Sequence, residues 1–177
     1  MPLNINAGRG RLLSQSVFAH RPHTGKTFLV MADTHENWSE WTEMMPGTHP
    51  DGPVVVHSTI QAAIDAATSS QGDVIYIADG HTETITAAAG INANKTGITI
   101  IGLGSGSRRP TINFTTATTA DFEVDNGNVT FENIIFDLTG LDALVAPLDI
   151  DGAYCTFRNC EFRTADASGQ CTVGILT

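Results

Sequence analysis

Four carboxylates recur at matching positions in two similar stretches of this 177-residue chain. The segments "FEVD" (122–125) and "LDID" (148–151) place Glu123 in line with Asp149, and Asp125 in line with Asp151. If the two segments are strands stacked in register, each pair is separated by about one strand spacing, near 5 Å. Like charges at that distance repel, so they need a cation, a raised pKa or a solvated surface that screens them.

These four carboxylates allow three interpretations. Their spacing suits the acid pair of a retaining glycosidase, and their many oxygens suit Ca²⁺. In the third interpretation, the four carboxylates are solvated surface groups at the edge of an acidic protein body. Other chemistry has weaker signals: "GLGSGSRRP" (102–110) carries Ser107 where a dinucleotide loop needs Gly, so we interpret it as a flexible loop with Arg108 and Arg109. The six histidines lack the spacing of zinc ligands.

The elements that position the carboxylates are short strands in a repeat. Residues 122–136, "FEVDNGNVTFENIIF", align without a gap on residues 148–162, "LDIDGAYCTFRNCEF". The aligned pairs that are identical are Asp125/Asp151, Thr130/Thr156, Phe131/Phe157, Asn133/Asn159 and Phe136/Phe162. Residues 97–104, "GITIIGLG", fit the same frame, so the period varies between 26 and 31 residues. A variable period indicates a fixed set of strands joined by loops of changing length.

Alternation along these strands predicts the cross-section of each turn. Phe131 and Phe157 point inward and stack, whereas Asn133 and Asn159 lie at a bend where their amides can hydrogen-bond up the stack. We call these four residues the structural ladder. Three short strands per turn, separated by polar or Gly bends, predict a mainly β fold: a short right-handed parallel β-helix, or solenoid.

The segment before the repeat divides into an arm and a helix. We assign residues 1–57 to an extended N-terminal arm with short strands at "KTFLVM" (26–31) and "PVVVH" (53–57), and residues 58–177 to a helix plus the solenoid. In "STIQAAIDAATSSQG", Ser58 and Gln61 have the spacing of a capping box. The spacing of the apolar residues then predicts a short amphipathic helix. Its apolar face consists of Ile60, Ala63, Ile64 and Ala67.

Charge is segregated between the arm and the body. Residues 1–32 carry a formal charge of +4 and the remaining chain −14, which sums to the net charge of −10. We interpret the basic segment as a partner-binding arm, with two tryptophans that pack on the body or on a partner. Its residues are Arg9, Arg11, Arg21, Lys26, Trp38 and Trp41. Four cations without interleaved aromatic residues disfavour nucleic acid as that partner.

Two further features concern location and assembly. No apolar run approaches the roughly 18–20 residues of a membrane helix, and "MPLNINAGRGRLL" lacks a secretory signal's apolar core, so we expect a soluble protein without a membrane partner. The segment "TVGILT" (172–177) places Val173 and Ile175 in line with Leu148 and Ile150. Because this strand lacks a polar cap, we expect either a longer solenoid or a second subunit, and hence a homo-oligomer.

The order of these segments resembles the pectate-lyase-like right-handed parallel β-helix family. The resemblance covers about residues 58–177 and is carried by "STIQAAIDAA", "GDVIYIADGHTETIT", "GITIIGLGSGSRRPTI", "VTFENIIF" and "CTFRNCEF". It implies that the helix caps the start of the solenoid. The segment "GDVIYIADGHTETITAAAGI" looks most like small phage-encoded members of this family that are found among virion structural proteins.

This resemblance implies a capsid-associated virion protein of the decoration or cement type, anchored through its arm and assembled in the host cytoplasm. Its partners are then the major capsid protein or neighbouring copies, without a catalytic residue or cofactor. The alternative is a tailspike-type polysaccharide depolymerase, a lyase or glycosidase, with its site on Glu123, Asp125, Asp149 and Asp151. Lyases of this family use clustered Asp ligands for Ca²⁺ and a basic residue. The paired-Asp and Gly-His-Gly motifs of its polygalacturonases are missing from this sequence.

Overall fold

The repeated strands form a parallel β-solenoid of four turns, each made of three short strands. The structure, a computed structural model, describes residues 25–35, 55–164 and the backbone of 175–176. Two strands and a helix, α1, precede the turns: β1 (Thr27–Val30), β2 (Val55–His57) and α1 (Ile60–Ala66). The first turn consists of β3 (Val74–Ile77), β4 (Thr82–Ile85) and β5 (Ile91–Asn92), and the second of β6 (Thr99–Gly102), β7 (Thr111–Phe114) and β8 (Phe122–Val124). The third turn consists of β9 (Thr130–Glu132), β10 (Ile135–Asp137) and β11 (Leu148–Ile150), and the fourth of β12 (Thr156–Arg158), β13 (Glu161–Arg163) and β14 (Ile175–Leu176).

Each turn contributes one strand to each of three parallel sheets. The first sheet has the order β2-β1-β3-β6-β9-β12, the second β4-β7-β10-β13 and the third β5-β8-β11-β14. The register confirms the sequence alignment, since Phe131 lies beside Phe157, Phe136 beside Phe162 and Glu123 beside Asp149. In the last strand the alignment was wrong by two residues, because Ile175 and not Val173 lies beside Leu148.

The residues of the structural ladder contact one another from turn to turn. The rings of Phe131 and Phe157 are stacked with centroids 4.8 Å apart, and the Nδ2 of Asn159 donates to the Oδ1 of Asn133 at 2.9 Å. Both asparagines have a positive φ, 62° and 51°, a conformation that Asn tolerates better than most residues. The Nδ2 of Asn133 also donates to the carbonyl of Gly102, at 2.8 Å, so the ladder extends into the second turn.

Helix α1 packs against β1, β2 and the first turn of the solenoid. Ile60, Ala63 and Ile64 are buried in the same core as the inward residues of the strands. The predicted capping box is wrong: Thr59 is the N-cap, and its side chain accepts from the backbone N of Ala62 at 3.2 Å. Gln61 bonds instead to the backbone of Asn92 in β5 and thereby joins the helix to the third sheet.

The strands β1 and β2 belong to the first sheet of the solenoid. Phe28 lies beside Val55 on one side and Ile75 on the other, so the strands predicted within residues 1–57 continue the sheet beyond the first turn. All four residues of β1 and of β3 are buried, because a second apolar cluster covers the outer face of the sheet here. This cluster contains Leu29, Met31, Val74, Tyr76, Ala78 and Ile101. Among the described helices, none is long and apolar enough to cross a membrane.

Candidate functional site

The carboxylates identified from the sequence lie along the outer face of the third sheet. Glu123 of β8 pairs in register with Asp149 of β11, as predicted. Asp125 and Asp151 each follow the last residue of these strands and are exposed. The structure adds Asp121, which precedes β8 and is electrostatically coupled to Asp149. We call the set of Asp121, Glu123, Asp125, Asp149 and Asp151 the acidic column.

In the first turn, the position equivalent to Glu123 is occupied by an amide side chain, that of Asn92. Asn92 of β5 lies beside Glu123 in register, and its Nδ2 donates to Glu123 Oε2 at 2.7 Å and to Asp125 Oδ2 at 2.8 Å. A neutral donor that bridges two carboxylates offsets part of their repulsion. Sequence reasoning missed Asn92, although its position 31 residues before Glu123 matches the spacing of the second and third turns.

Two carboxylates of the acidic column, Glu123 and Asp121, have a raised pKa. Loss of solvation raises the pKa of Glu123, and the charges of Asp125, Asp121 and Asp149 raise it further, as does a hydrogen bond with Asp125. Burial likewise raises the pKa of Asp121, against the lowering effect of a hydrogen bond from the backbone of Ala89. Glu123 and Asp121 therefore take up a proton at a higher pH than isolated acids do.

Two described arginines pair with acids outside the acidic column. Arg108 pairs with Asp79, its Nε lying 2.8 Å from Oδ2, and Arg163 pairs with Glu161 at 2.7 Å in the second sheet. Arg158 lies exposed on β12 of the first sheet. The charges that raise the pKa of Glu123 are those of Asp125, Asp121 and Asp149.

The loop with two arginines is held by contacts, which corrects its interpretation as a flexible segment. Residues Gly106–Arg108 form a 3-10 helix, and the guanidinium of Arg109 binds Glu161 and the carbonyl of Asn159. Because Arg109 precedes β7 of the second turn and Glu161 lies in the fourth, this side chain crosses the intervening strand. Two strand spacings are about 10 Å, a span that the long side chain bridges.

The expectation of no metal site and the predicted partner-binding residues both stay predictions. Within the described ranges, no group of three or more His, Cys, Asp or Glu side chains is arranged to hold a metal ion. Lys26 is exposed, and its backbone N donates to Asp73 Oδ1 at 2.6 Å. The other predicted partner-binding residues lie outside the described residues: Arg9, Arg11, Arg21, Trp38 and Trp41.

Comparison of the chain with known protein families, with curated proteins and with solved structures found no match. The architecture itself defines a class: a parallel β-solenoid with three strands per turn, an Asn ladder at one bend and an acidic column on one face.

Proposed function

We propose that this protein is a non-enzymatic structural component of a bacteriophage particle, a capsid-associated protein of the decoration or cement type. The solenoid serves as a rigid body, and the basic arm attaches it to acidic sites on the major capsid protein or on neighbouring copies. Two observations support this proposal: the resemblance of residues 58–177 to phage-encoded β-helix proteins, and the charge of +4 on residues 1–32 against −14 on residues 33–177.

The observation that carries the proposal is the contact between repeated side chains of neighbouring turns. Phe131, Phe157, Asn133 and Asn159 contact one another from turn to turn, so the repeat stabilises stacking of the turns. This pattern favours a stable body over a catalyst.

The direct test is location. Mass spectrometry of purified particles, separated into heads and tails, should find this protein in the head fraction. Its presence in tails alone would contradict the capsid assignment, and its absence from washed particles would contradict a structural role altogether.

A second test addresses the arm. Deletion of residues 1–24 removes Arg9, Arg11 and Arg21 but retains β1, which the first sheet needs. We expect the truncated protein to keep its far-UV circular dichroism and to lose co-sedimentation with particles. The matched pair is a triple Arg→Gln variant against a triple Arg→Lys variant at these positions. Lys should retain binding and Gln should not, because the attraction depends on charge. Retained binding by the Gln variant would refute the arm's role.

One observation favours the alternative, a polysaccharide depolymerase: the pKa of Glu123 is raised beside Asp125, as a general acid requires. In that case purified protein should release reducing ends or unsaturated sugars from the host capsule, and Glu123→Gln should abolish the release. Clear halos from the wild type and none from Glu123→Gln would favour the enzyme over the structural proposal.

A further inference from the structure

The edge strand β13 carries a pattern that is complementary to a second copy of itself. Its sequence is Glu161, Phe162 and Arg163, and it forms the last strand of the second sheet. Among the described residues, no strand pairs with its outer edge. Phe162 is stacked on Phe136 with ring centroids 5.1 Å apart, yet it is 40% exposed. Within residues 55–164, the apolar column of the second sheet therefore ends at a partly solvated ring.

The backbone of β13 directs one residue towards that outer edge. The N of Glu161 donates to the carbonyl of Ile134 at 2.9 Å, and the carbonyl of Arg163 accepts from Leu138 at 2.8 Å, so both residues bond inward to the neighbouring turn. Backbone groups alternate in direction along a strand, which leaves the N–H and C=O of Phe162 facing outward. An antiparallel partner centred on Phe162 can exchange both hydrogen bonds with it, at a Cα separation of about 5.5 Å.

The flanking charges fit the same arrangement. In an antiparallel pair with a twofold axis at Phe162, Glu161 of one copy lies opposite Arg163 of the other, and the reverse pair follows by symmetry. Opposite charges directly across an antiparallel pair are stabilising. A parallel pair in the same register would instead place Glu161 beside Glu161. The charges thus select the antiparallel orientation.

The opposite end of the solenoid limits which assembly can form. Helix α1 covers the interior there with Ile60, Ala63 and Ile64, so a copy that stacks head to tail meets the helix and not an open turn. Contact between two identical ends closes after two copies, whereas head-to-tail contact propagates. We propose that two copies of this chain associate end to end through antiparallel pairing of β13 about a twofold axis at Phe162. The pairing does not depend on attachment to a particle.

Sedimentation velocity of the full chain tests this pairing. We expect a species of twice the 18.8 kDa chain mass that dissociates on dilution. Arg163→Glu places like charges opposite each other while it leaves the contact between Arg109 and Glu161 intact, and it should weaken the dimer roughly tenfold or more. The double variant Glu161→Arg, Arg163→Glu restores opposite charges across the axis and should restore the dimer. Lys95→Glu, the same charge change in the loop after β5, should leave the dimer unchanged.

The outcomes separate self-pairing from other occupants of this edge. A wild-type chain that stays monomeric at all concentrations overturns the proposal, and so does an Arg163→Glu variant that dimerises as the wild type does. Circular dichroism establishes that each variant is folded. Should the double variant misfold because its new guanidinium in β13 repels Arg109, amide exchange of the wild type decides: the Phe162 N–H should be protected at high concentration and exchange on dilution. Equal exchange at both concentrations overturns the pairing.

Discussion

Replacement of Asn133 by Ala is expected to destabilise the solenoid more than any other exchange of a polar side chain in the ladder. The side chain donates to the carbonyls of Gly102 at 2.8 Å and Gly104 at 3.0 Å, and it accepts from Asn159 at 2.9 Å. A net value of roughly 0.5–1 kcal/mol for each partly solvated bond gives about 2 kcal/mol. The backbone adds about 1 kcal/mol, because φ is 62° and Ala tolerates this region poorly. The expected loss is therefore about 3 kcal/mol.

Asn133→Gly separates these two contributions. Glycine removes the same three hydrogen bonds but adopts a positive φ without strain, so its loss should be nearer 2 kcal/mol. Asn94→Ala is the control at an exposed asparagine and should change stability by less than about 0.5 kcal/mol.

Urea unfolding followed by far-UV circular dichroism measures all three variants, and an unchanged slope against denaturant establishes that the same surface unfolds. A loss for Asn133→Ala as small as that for Asn94→Ala would refute the assignment of the hydrogen bonds. A glycine variant less stable than the alanine variant would refute the backbone contribution.

Three further predictions use the same unfolding assay. Phe131→Ala should cost about 3–5 kcal/mol because this ring is fully buried, whereas the exposed Tyr154→Ala should cost less than about 0.5 kcal/mol; similar losses would contradict the packing. Arg109→Gln should cost about 1 kcal/mol, and Lys should recover little of it because it lacks the guanidinium fork; full recovery by Lys would contradict this reasoning. Glu123→Gln should raise the midpoint of thermal unfolding at pH 7, by an amount that shrinks towards pH 4; a constant or negative change would refute the repulsion.

The repeat made the register of the turns predictable from the sequence. Residues that recur at equivalent positions, such as Phe131 and Phe157, must stack if the strands are parallel, and alternation then fixes which face each neighbour occupies. The same argument placed Glu123 beside Asp149. It failed at Val173, because the alignment there was extended past the last identical residues, where a shift by two residues keeps every side chain on the same face.

Other features were not predictable from alternation, for different physical reasons. Arg109 reaches Glu161 across 52 residues of sequence, and a long flexible side chain leaves no period in the sequence that would indicate its partner. Ser58 and Thr59 are both good N-caps, so the choice between them depends on the tertiary contacts of the helix. A signal for the second apolar cluster was present and missed: "FLVM" and "VIYIA" are uninterrupted apolar runs, which are typical of parallel strands buried on both faces.

The charged surfaces of this solenoid respond to pH in opposite directions. The raised pKa of Glu123 means that its contribution to stability is complete below its unfolded pKa and is lost as pH rises through the folded value. Arg163 and Arg109 lower the pKa of Glu161, so its contribution is present above its unfolded pKa and is lost as pH falls through the folded value. The stacked Phe131 and Asn133 carry no charge. Changes of pH should therefore alter the charge of Glu123 and Glu161 directly, whereas the contacts of the ladder have no ionisable group to respond.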